Sequence, residues 1–202
     1  LFIHTVTPFL QSKEIREIIL VVPQNNLSII KKTISSLHND KNVIVISGGH
    51  HRQDSVYKGL KKVSQSCNIV CIHDGARPFV SIELIESTIR ACVNFDGVVA
   101  AVKATDTVKL VTRGSRVQKT LNRNKIWLAQ TPQTFKKKEL NKALLSAQKK
   151  NIFGTDEAMI MEEMGYSVGI IEASNQNIKI TTREDWRYAE AIMSFTSSGK
   201  NL

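Results

Sequence analysis

Hydrophobic and polar positions follow two periods along the chain. Glu17–Val22 (EIILVV) is a near-continuous apolar run ended by Pro23, the pattern of a strand buried on both faces. Leu27–Leu37 carries apolar residues at helical spacing, and Val43–Ile46 is a second short apolar run stopped by Gly48 and Gly49. Gln53–Val63 reads as a helix, and Ile69–Ile72 as a strand ending in His73-Asp74-Gly75. Ser81 is placed to cap a helix over Ile82–Val93, because its hydroxyl can accept from a backbone N–H three residues on. Gly97–Val102 follows as a strand. Strands alternating with helices predict an α/β fold with a mainly parallel, Rossmann-like sheet flanked by helices, since parallel strands need long crossovers.

The alternation then breaks. Thr107–Thr112 and Arg116–Thr120 are β-prone runs flanking Arg113-Gly114-Ser115, a hairpin signal. A hairpin inserted in such a domain is expected to protrude as an arm, here at about 107–125. The α/β pattern resumes with a strand near Ile126–Gln130, a helix over Lys136–Lys149 and a shorter one over Asp156–Met164. Ser167–Ile171 and Asn177–Ile180 read as strands. The last helix opens at Thr182-Arg183-Glu184-Asp185, where Thr182 can cap and the acids face the positive end of the helix dipole. No repeat, linker or low-complexity tract interrupts the chain, so residues 1–202 are expected to form one domain with an arm. Leu1–Val6 reads as the middle of an element and residue 1 is not Met, so the natural start is expected upstream.

Composition narrows the classes. At 42% hydrophobic and 23% charged residues the chain is globular, not disordered. Apolar runs such as Val98–Val102 fall far short of the ~20 residues of a membrane span, and no signal-peptide pattern opens the sequence. Cys67, Cys71 and Cys92 cannot all pair and form no CxxC, which suits a reducing compartment. The five histidines show no zinc spacing. The net charge of +10 favours polyanions such as nucleic acid, nucleotides, sugar phosphates or acidic lipid, unless it only reflects a Lys-rich and Asn-rich genome. No nucleic-acid motif is present, and 6% aromatic residues are few for base stacking.

Ligands of open parallel sheets bind at the carboxyl ends of the strands. After Val43–Ile46 comes Ser47-Gly48-Gly49-His50-His51-Arg52, then Asp54-Ser55. Two glycines there allow close backbone approach and the next helix offers free N–H groups to an anion, or the segment is an ordinary tight turn with a cap. After Ile69–Ile72 comes His73-Asp74-Gly75-Ala76-Arg77-Pro78. A carboxylate at a strand end can hold Mg²⁺ through one or two oxygens, and an arginine can grip phosphate with two parallel bonds. Thr105-Asp106-Thr107, Asn122-Arg123-Asn124, Thr131-Pro132-Gln133, Gly154-Thr155-Asp156-Glu157 and Asn177-Ile178-Lys179 add hydroxyls and cations. Each of these is weak alone. Together they suit a site for two phosphorylated substrates.

The segments GGHHRQDSVYKGL, HDGARPFV, ATDTVK, NRNKIWLAQTPQTF, GTDEA and NIKITTREDW occur in that order from Gly48 to Trp186. Together they resemble the 2-C-methyl-D-erythritol 4-phosphate cytidylyltransferase family of nucleotidyltransferases. The likeness runs from Leu1 to about Phe195, and ribitol-5-phosphate cytidylyltransferases are a close sister family. The resemblance implies transfer of a cytidylyl group from CTP to the alcohol phosphate, with Mg²⁺ and release of pyrophosphate, in non-mevalonate isoprenoid biosynthesis. It implies that Gly49, His50, Ser55, Asp74 and Gly75 bind CTP, with Asp74 on the metal. It further implies that Arg77, Thr107, Arg123, Thr131, Thr155 and Lys179 surround the second substrate, Arg123 and Lys179 positioning its phosphate. Homodimers with interlocked β-arms, in a bacterial cytoplasm or a plastid-type organelle, complete the expectation. Nucleic acid and membrane are not expected partners; an inactive dimer and a basic nucleic-acid-binding domain are the readings of another class. The family opens with a strand and a Gly-rich loop carrying an Arg and then a Lys, and the likeness here begins at the helix after it. Position 50 is His where the family often has an acid, and Lys103 stands at a position usually apolar or Pro.

Overall fold

The opening segment is helix α1 (Phe2–Gln11) in the computed structural model, which describes residues 1–37 and 40–197. Its buried stripe is Thr5, Val6 and Phe9, spaced as one helix face requires. β1 (Glu17–Val22), α2 (Leu27–Ser35), β2 (Asn42–Ser47) and α3 (Arg52–Leu60) follow where the periodicity puts them. β1 and β2 pair in parallel, Ile18 opposite Val43 and Leu20 opposite Val45. β3 (Ile69–Ile72), α4 (Ile82–Ala91) and β4 (Gly97–Lys103) continue the alternation. The Ser81 hydroxyl accepts from the Leu84 N–H at 3.1 Å, so the expected cap forms.

β5 (Lys109–Val111) and β6 (Val117–Thr120) pair antiparallel as a hairpin. Its turn carries Gly114 and Ser115 in the left-handed region (φ 81° and 60°), which suits the glycine and strains only one side chain. Both strands are exposed along their whole length, including Leu110, Val111 and Val117. β7 (Trp127–Lys136), α5 (Lys137–Lys149), α6 (Glu157–Glu163), β8 (Val168–Glu172) and α7 (Arg183–Ser197) complete the described elements. The α7 cap is the expected one: Thr182 Oγ1 accepts from the Asp185 N–H, and the Asp185 carboxylate accepts from the Thr181 and Thr182 N–H groups.

Two expectations change. The strand expected near Ile126–Gln130 runs on to Lys136, through Pro132 and polar residues. Pro132 is tolerated because the pairing of β7 with β4 slips between Val99 and Ala101, so the ladder bond a proline cannot donate is not required there. Thr134, fully buried in β7, shares a 2.8 Å hydroxyl bond with buried Thr88 of α4. Asn177–Ile180, expected as a strand, joins no ladder. Its backbone serves loops instead: the Ile180 N–H donates to the Ala76 carbonyl and the Asn177 carbonyl accepts from Arg77.

The sheet order is β3-β7-β4-β8, with β7 antiparallel to both neighbours and β4 parallel to β8. β1 and β2 form a separate parallel pair. Arg52, just after β2, meets Asp74, just after β3, so the carboxyl ends of both strands lie on one side. The architecture is therefore mainly parallel, with β7 reversed. One edge of β1 and one edge of β3 carry no partner strand among the described residues. They border a common cavity of about 820 Å³, roofed by α1 (Phe2, Val6, Phe9) and α3 (Val56, Gly59, Leu60). Arg52, Ser55, Asp74, Gly75 and Lys179 stand at its polar end.

The core lies on both faces of the sheet. Phe135, Leu140, Leu144, Ile160 and Met161 bind α5 and α6 to one face, and Phe9, Leu84, Ile85 and Ala100 bind α1 and α4 to the other. Gly97 of β4 lies opposite Phe135 of β7, and a Cβ on Gly97 would stand 2.5 Å from the ring. Gly97→Ala should therefore displace a fully buried ring and cost about 1–3 kcal/mol. Adding Phe135→Leu should recover part of that loss in urea unfolding, with the m-value unchanged.

Candidate active site

β3 delivers His73 and Asp74 to the carboxyl end of the sheet, and the chain turns there through Gly75 and Ala76. Asp74 is held from three directions. Its N–H donates to Thr131 Oγ1 at 3.1 Å. Its Oδ1 lies 3.3 Å from Arg52 Nε, and its Oδ2 lies 2.8 Å from Lys179 Nζ. Burial alone would raise its pKa, but Lys179 and Arg52 outweigh that and hold the carboxyl below its ordinary value. Gly75 presents open space: nothing would meet a Cβ there within 4 Å. Its carbonyl accepts from Thr5 Oγ1 of α1 at 2.9 Å.

A chain of hydrogen bonds orders this turn. The Arg77 carbonyl can only accept, so His73 Nε2 donates to it at 3.0 Å. His73 Nδ1 is then the acceptor, and the Thr131 hydroxyl donates to it at 3.1 Å. Thr131 Oγ1 in turn accepts from Asp74 N–H. Thr131 thus sits beside the acid and spends its hydroxyl on the protein. Arg77 is buried, donates from Nη1 to the Asn177 carbonyl at 2.8 Å, and does not line the cavity. Burial lowers its pKa, with Asp74 opposing. In this state it braces the turn against the segment that carries Lys179.

The Gly48-Gly49 turn packs closely on the start of α3. A Cβ on Gly49 would lie 2.3 Å from Asp54 Cβ, and one on Gly48 2.7 Å from Ser55 Oγ. These glycines make room for the start of α3 itself, and not for a ligand alone. Ser55 Oγ accepts from the Gly49 N–H at 3.0 Å and lines the cavity; His50 is exposed. Thr155 is exposed next to Asp156, which caps α6 by accepting from Met159. Thr107 and Arg123 stand apart at the base of the arm. Arg123 Nη1 donates to the Thr105 carbonyl at 2.7 Å, and no bond among the described residues joins either side chain to Asp74.

Two further residues complete the group: Arg52, expected near an anion at the start of α3, and Glu157, to which the sequence assigned no role. Arg52, the first residue of α3, donates from Nη1 to both carboxylate oxygens of Glu157 at 2.7 Å. Glu157, in the first turn of α6, is 1% exposed. Burial raises its pKa and Arg52 pulls the other way. Burial would lower that of Arg52, but Glu157 and Asp74 raise it. The only available signal for Glu157 was that it lies inside a motif already quoted. Lys103, unexplained by sequence, pairs with Glu172 at 3.1 Å and lies over the Trp127 ring at 5.1 Å. Trp127 is half-buried and Trp186 is 46% exposed, so neither is core.

Helices on both faces of a mainly parallel sheet, with a cation-bracketed carboxylate at the carboxyl ends of its strands, define an α/β protein with a polar ligand site at the usual place for such sheets. The comparisons narrow this. The chain belongs to the 2-C-methyl-D-erythritol 4-phosphate cytidylyltransferase family, whose model matches residues 1–195. It is 42% identical over 190 residues to the enzyme of that name from Clostridioides difficile, covering 94% of this chain and 80% of that one. The Alkaliphilus oremlandii enzyme of the same name is 41% identical, covering 98% and 84%. The crystal structure of 4-diphosphocytidyl-2C-methyl-D-erythritol synthase from Anaerococcus prevotii superposes with a TM-score of 0.90 at 33% identity, covering 96% and 85%. The methylerythritol reading is thereby supported over ribitol phosphate and over nucleic-acid binding. The chain is a nucleotidyltransferase of the cytidylyltransferase kind.

The neutral His73 at the centre of the turn makes stability pH-dependent. Burial pushes its pKa down to about 4, from an ordinary 6.5. The unfolded chain binds a proton below about pH 6.5 while the folded chain stays neutral until about pH 4. This stability is present above the upper value and is lost as pH falls through that window. The loss should be on the order of 2–3 kcal/mol. Urea unfolding at pH 7 and pH 4.5 checks it: His73→Gln should reduce the difference between the two.

Proposed function

We propose that this site transfers the cytidylyl group of CTP to the phosphate of 2-C-methyl-D-erythritol 4-phosphate. A phosphate oxygen of the second substrate attacks the α-phosphorus of CTP, the bond to the bridging β-oxygen breaks, and pyrophosphate leaves. The observation that carries the reading is Asp74: a partly exposed carboxylate between Arg52 and Lys179, beside open space at Gly75. Little covalent work falls to the protein in such a displacement; positioning and charge stabilisation carry the rate.

The donor set suits Mg²⁺ that arrives with a triphosphate. No group of three His, Cys, Asp or Glu gathers among the described residues, and one carboxylate plus substrate oxygens and waters is the usual Mg²⁺ arrangement. Asp74 would hold the ion, which when bound neutralises charge on the phosphate oxygens. Gly75 leaves room for the nucleotide, with Gly49, His50 and Ser55 on the neighbouring turn. Lys179 would turn from Asp74 toward the substrate phosphate, with Thr131 and Thr155 near it. Arg77 holds the turn and meets the substrate only if its bond to Asn177 is exchanged.

Thr107 and Arg123 stand apart from their own Asp74, and the exposed hairpin carries Leu110, Val111 and Val117 to solvent. In our reading the arm crosses to a second copy, and Thr107 and Arg123 complete that copy's site in a symmetric dimer. No described helix is long and apolar enough to cross a membrane. A bacterial cytoplasm or a plastid-type organelle remains the compartment this reading assigns.

Pyrophosphate release by the protein carrying this chain should require CTP, Mg²⁺ and methylerythritol phosphate; turnover with ribitol 5-phosphate instead would overturn the substrate assignment. Asp74→Asn should lower turnover by on the order of 10²–10³-fold. Mixing inactive Asp74→Asn and Arg123→Ala proteins should restore roughly one quarter of the activity, because half the dimers then hold one intact site. No recovery on mixing would exclude the exchanged arm.

A further inference from the structure

Glu157 presents a physical problem. A carboxylate at 1% exposure costs several kcal/mol unless paired, and an apolar residue of similar size would serve stability as well. Its partner comes from 105 residues away in sequence. Arg52 does not only neutralise it. One side of the guanidinium, Nη1, bonds both Glu157 oxygens at 2.7 Å, and Nε faces Asp74 Oδ1 at 3.3 Å. The planar fork therefore spans two carboxylates. A lysine, a point charge on a flexible stem, cannot reproduce that geometry.

The two oxygens of Asp74 are consequently unlike. Oδ1 faces an arginine that cannot leave without stranding a buried charge. Oδ2 is held at 2.8 Å by Lys179, whose side chain is 41% exposed. We propose that Arg52 and Glu157 are a positioning pair for Asp74: Glu157 locks Arg52, Arg52 holds Oδ1, and the carboxylate presents Oδ2 to a divalent cation bound with the nucleotide. The proposal rests on the reading of Asp74 as the cation ligand. Neither residue of the pair is a catalytic residue; both act through Asp74.

The test uses Mn²⁺ with CTP as the probe, followed by electron paramagnetic resonance and water-proton relaxation on the protein carrying this chain. Arg52→Lys and Glu157→Asp keep every charge and change only geometry. Each should weaken Mn²⁺·CTP binding about three- to tenfold, and the double variant should be no weaker than the poorer single, because one device is broken either way. Asp74→Asn should remove the tight Mn²⁺·CTP site. Urea midpoints are taken for all four proteins. If Glu157→Asp fails to fold, Arg52→Lys, whose side chain is 36% exposed in the native protein, carries the test alone. Should Asp74→Asn leave Mn²⁺ binding intact, the reading of Asp74 as ligand fails. Should Asp74→Asn abolish it while Arg52→Lys and Glu157→Asp shift only the urea midpoint, the pair is structural and the proposal is wrong. Tighter Mn²⁺·CTP binding in Arg52→Lys would make Arg52 a competitor of the ion and would also overturn it, as would additive losses in the double variant.

Discussion

A charged carboxylate in a protein interior must find a cation, and here that requirement joins four distant stretches of chain. Glu157 on α6 binds Arg52 on α3, Arg52 reaches Asp74 after β3, and Asp74 meets Lys179 in the segment before α7. The four charges sum to zero, so the group can stay ionised at the edge of the core. It also closes the carboxyl end of the sheet. α3 packs on one face near β1 and α6 packs with α5 beside β4, yet their first turns converge on one arginine. The hydrogen-bonded run through His73, Thr131 and the Arg77 carbonyl then fixes the turn on which Asp74 sits.

How much of this was legible in the sequence follows from the range of each interaction. Apolar period reports which face of an element is buried, so β1, β2, β3, β4, α4 and α5 were readable from a few consecutive residues. Caps are local too, and Ser81 and Thr182 do what their spacing implies. β7 was half missed because the second half of the strand is polar. Thr131, Gln133 and Thr134 are buried by partners on other elements, among them Thr88 and Asp156, which no local pattern reveals. Asn177–Ile180 was misread for the opposite reason: its apolar alternation is real, but its backbone bonds are made by two loops. Asp74 and Lys179 could be proposed from motifs. The bond that makes Arg52 and Glu157 one unit could not, since nothing local in the sequence signals contact across 105 residues.

The cavity between β1 and β3 belongs to the same argument. Each strand has one edge without a ladder, and both edges face the same apolar space below Asp74. Unpaired strand edges attract further strands. α1 residues line one side of this space and α3 residues the other. The two parts of the sheet are meanwhile held together from outside the ladder, by α1 and by the Arg52 bonds. The polar network therefore carries structural weight beyond the carboxylate it orients.

Charge distribution gives the arm its meaning. Residues 107–125 contain Lys109, Arg113, Arg116, Lys119, Arg123 and Lys125, and no acid. The group around Asp74 is neutral, so it offers little net attraction to a triphosphate or a sugar phosphate on its own. None of the ion pairs among the described residues involves the arm. Its cations repel one another; the partners Lys109 and Arg123 have in their own chain, the Thr120 hydroxyl and the Thr105 carbonyl, are uncharged. In the proposed dimer such a hairpin would gain a second protein surface for the exposed Leu110, Val111 and Val117, and nearby anions for its lysines and arginines. A site that must bind two phosphorylated molecules supplies those anions. In that arrangement the neutral network keeps Asp74 in place, and the attraction for the substrates comes from the arm.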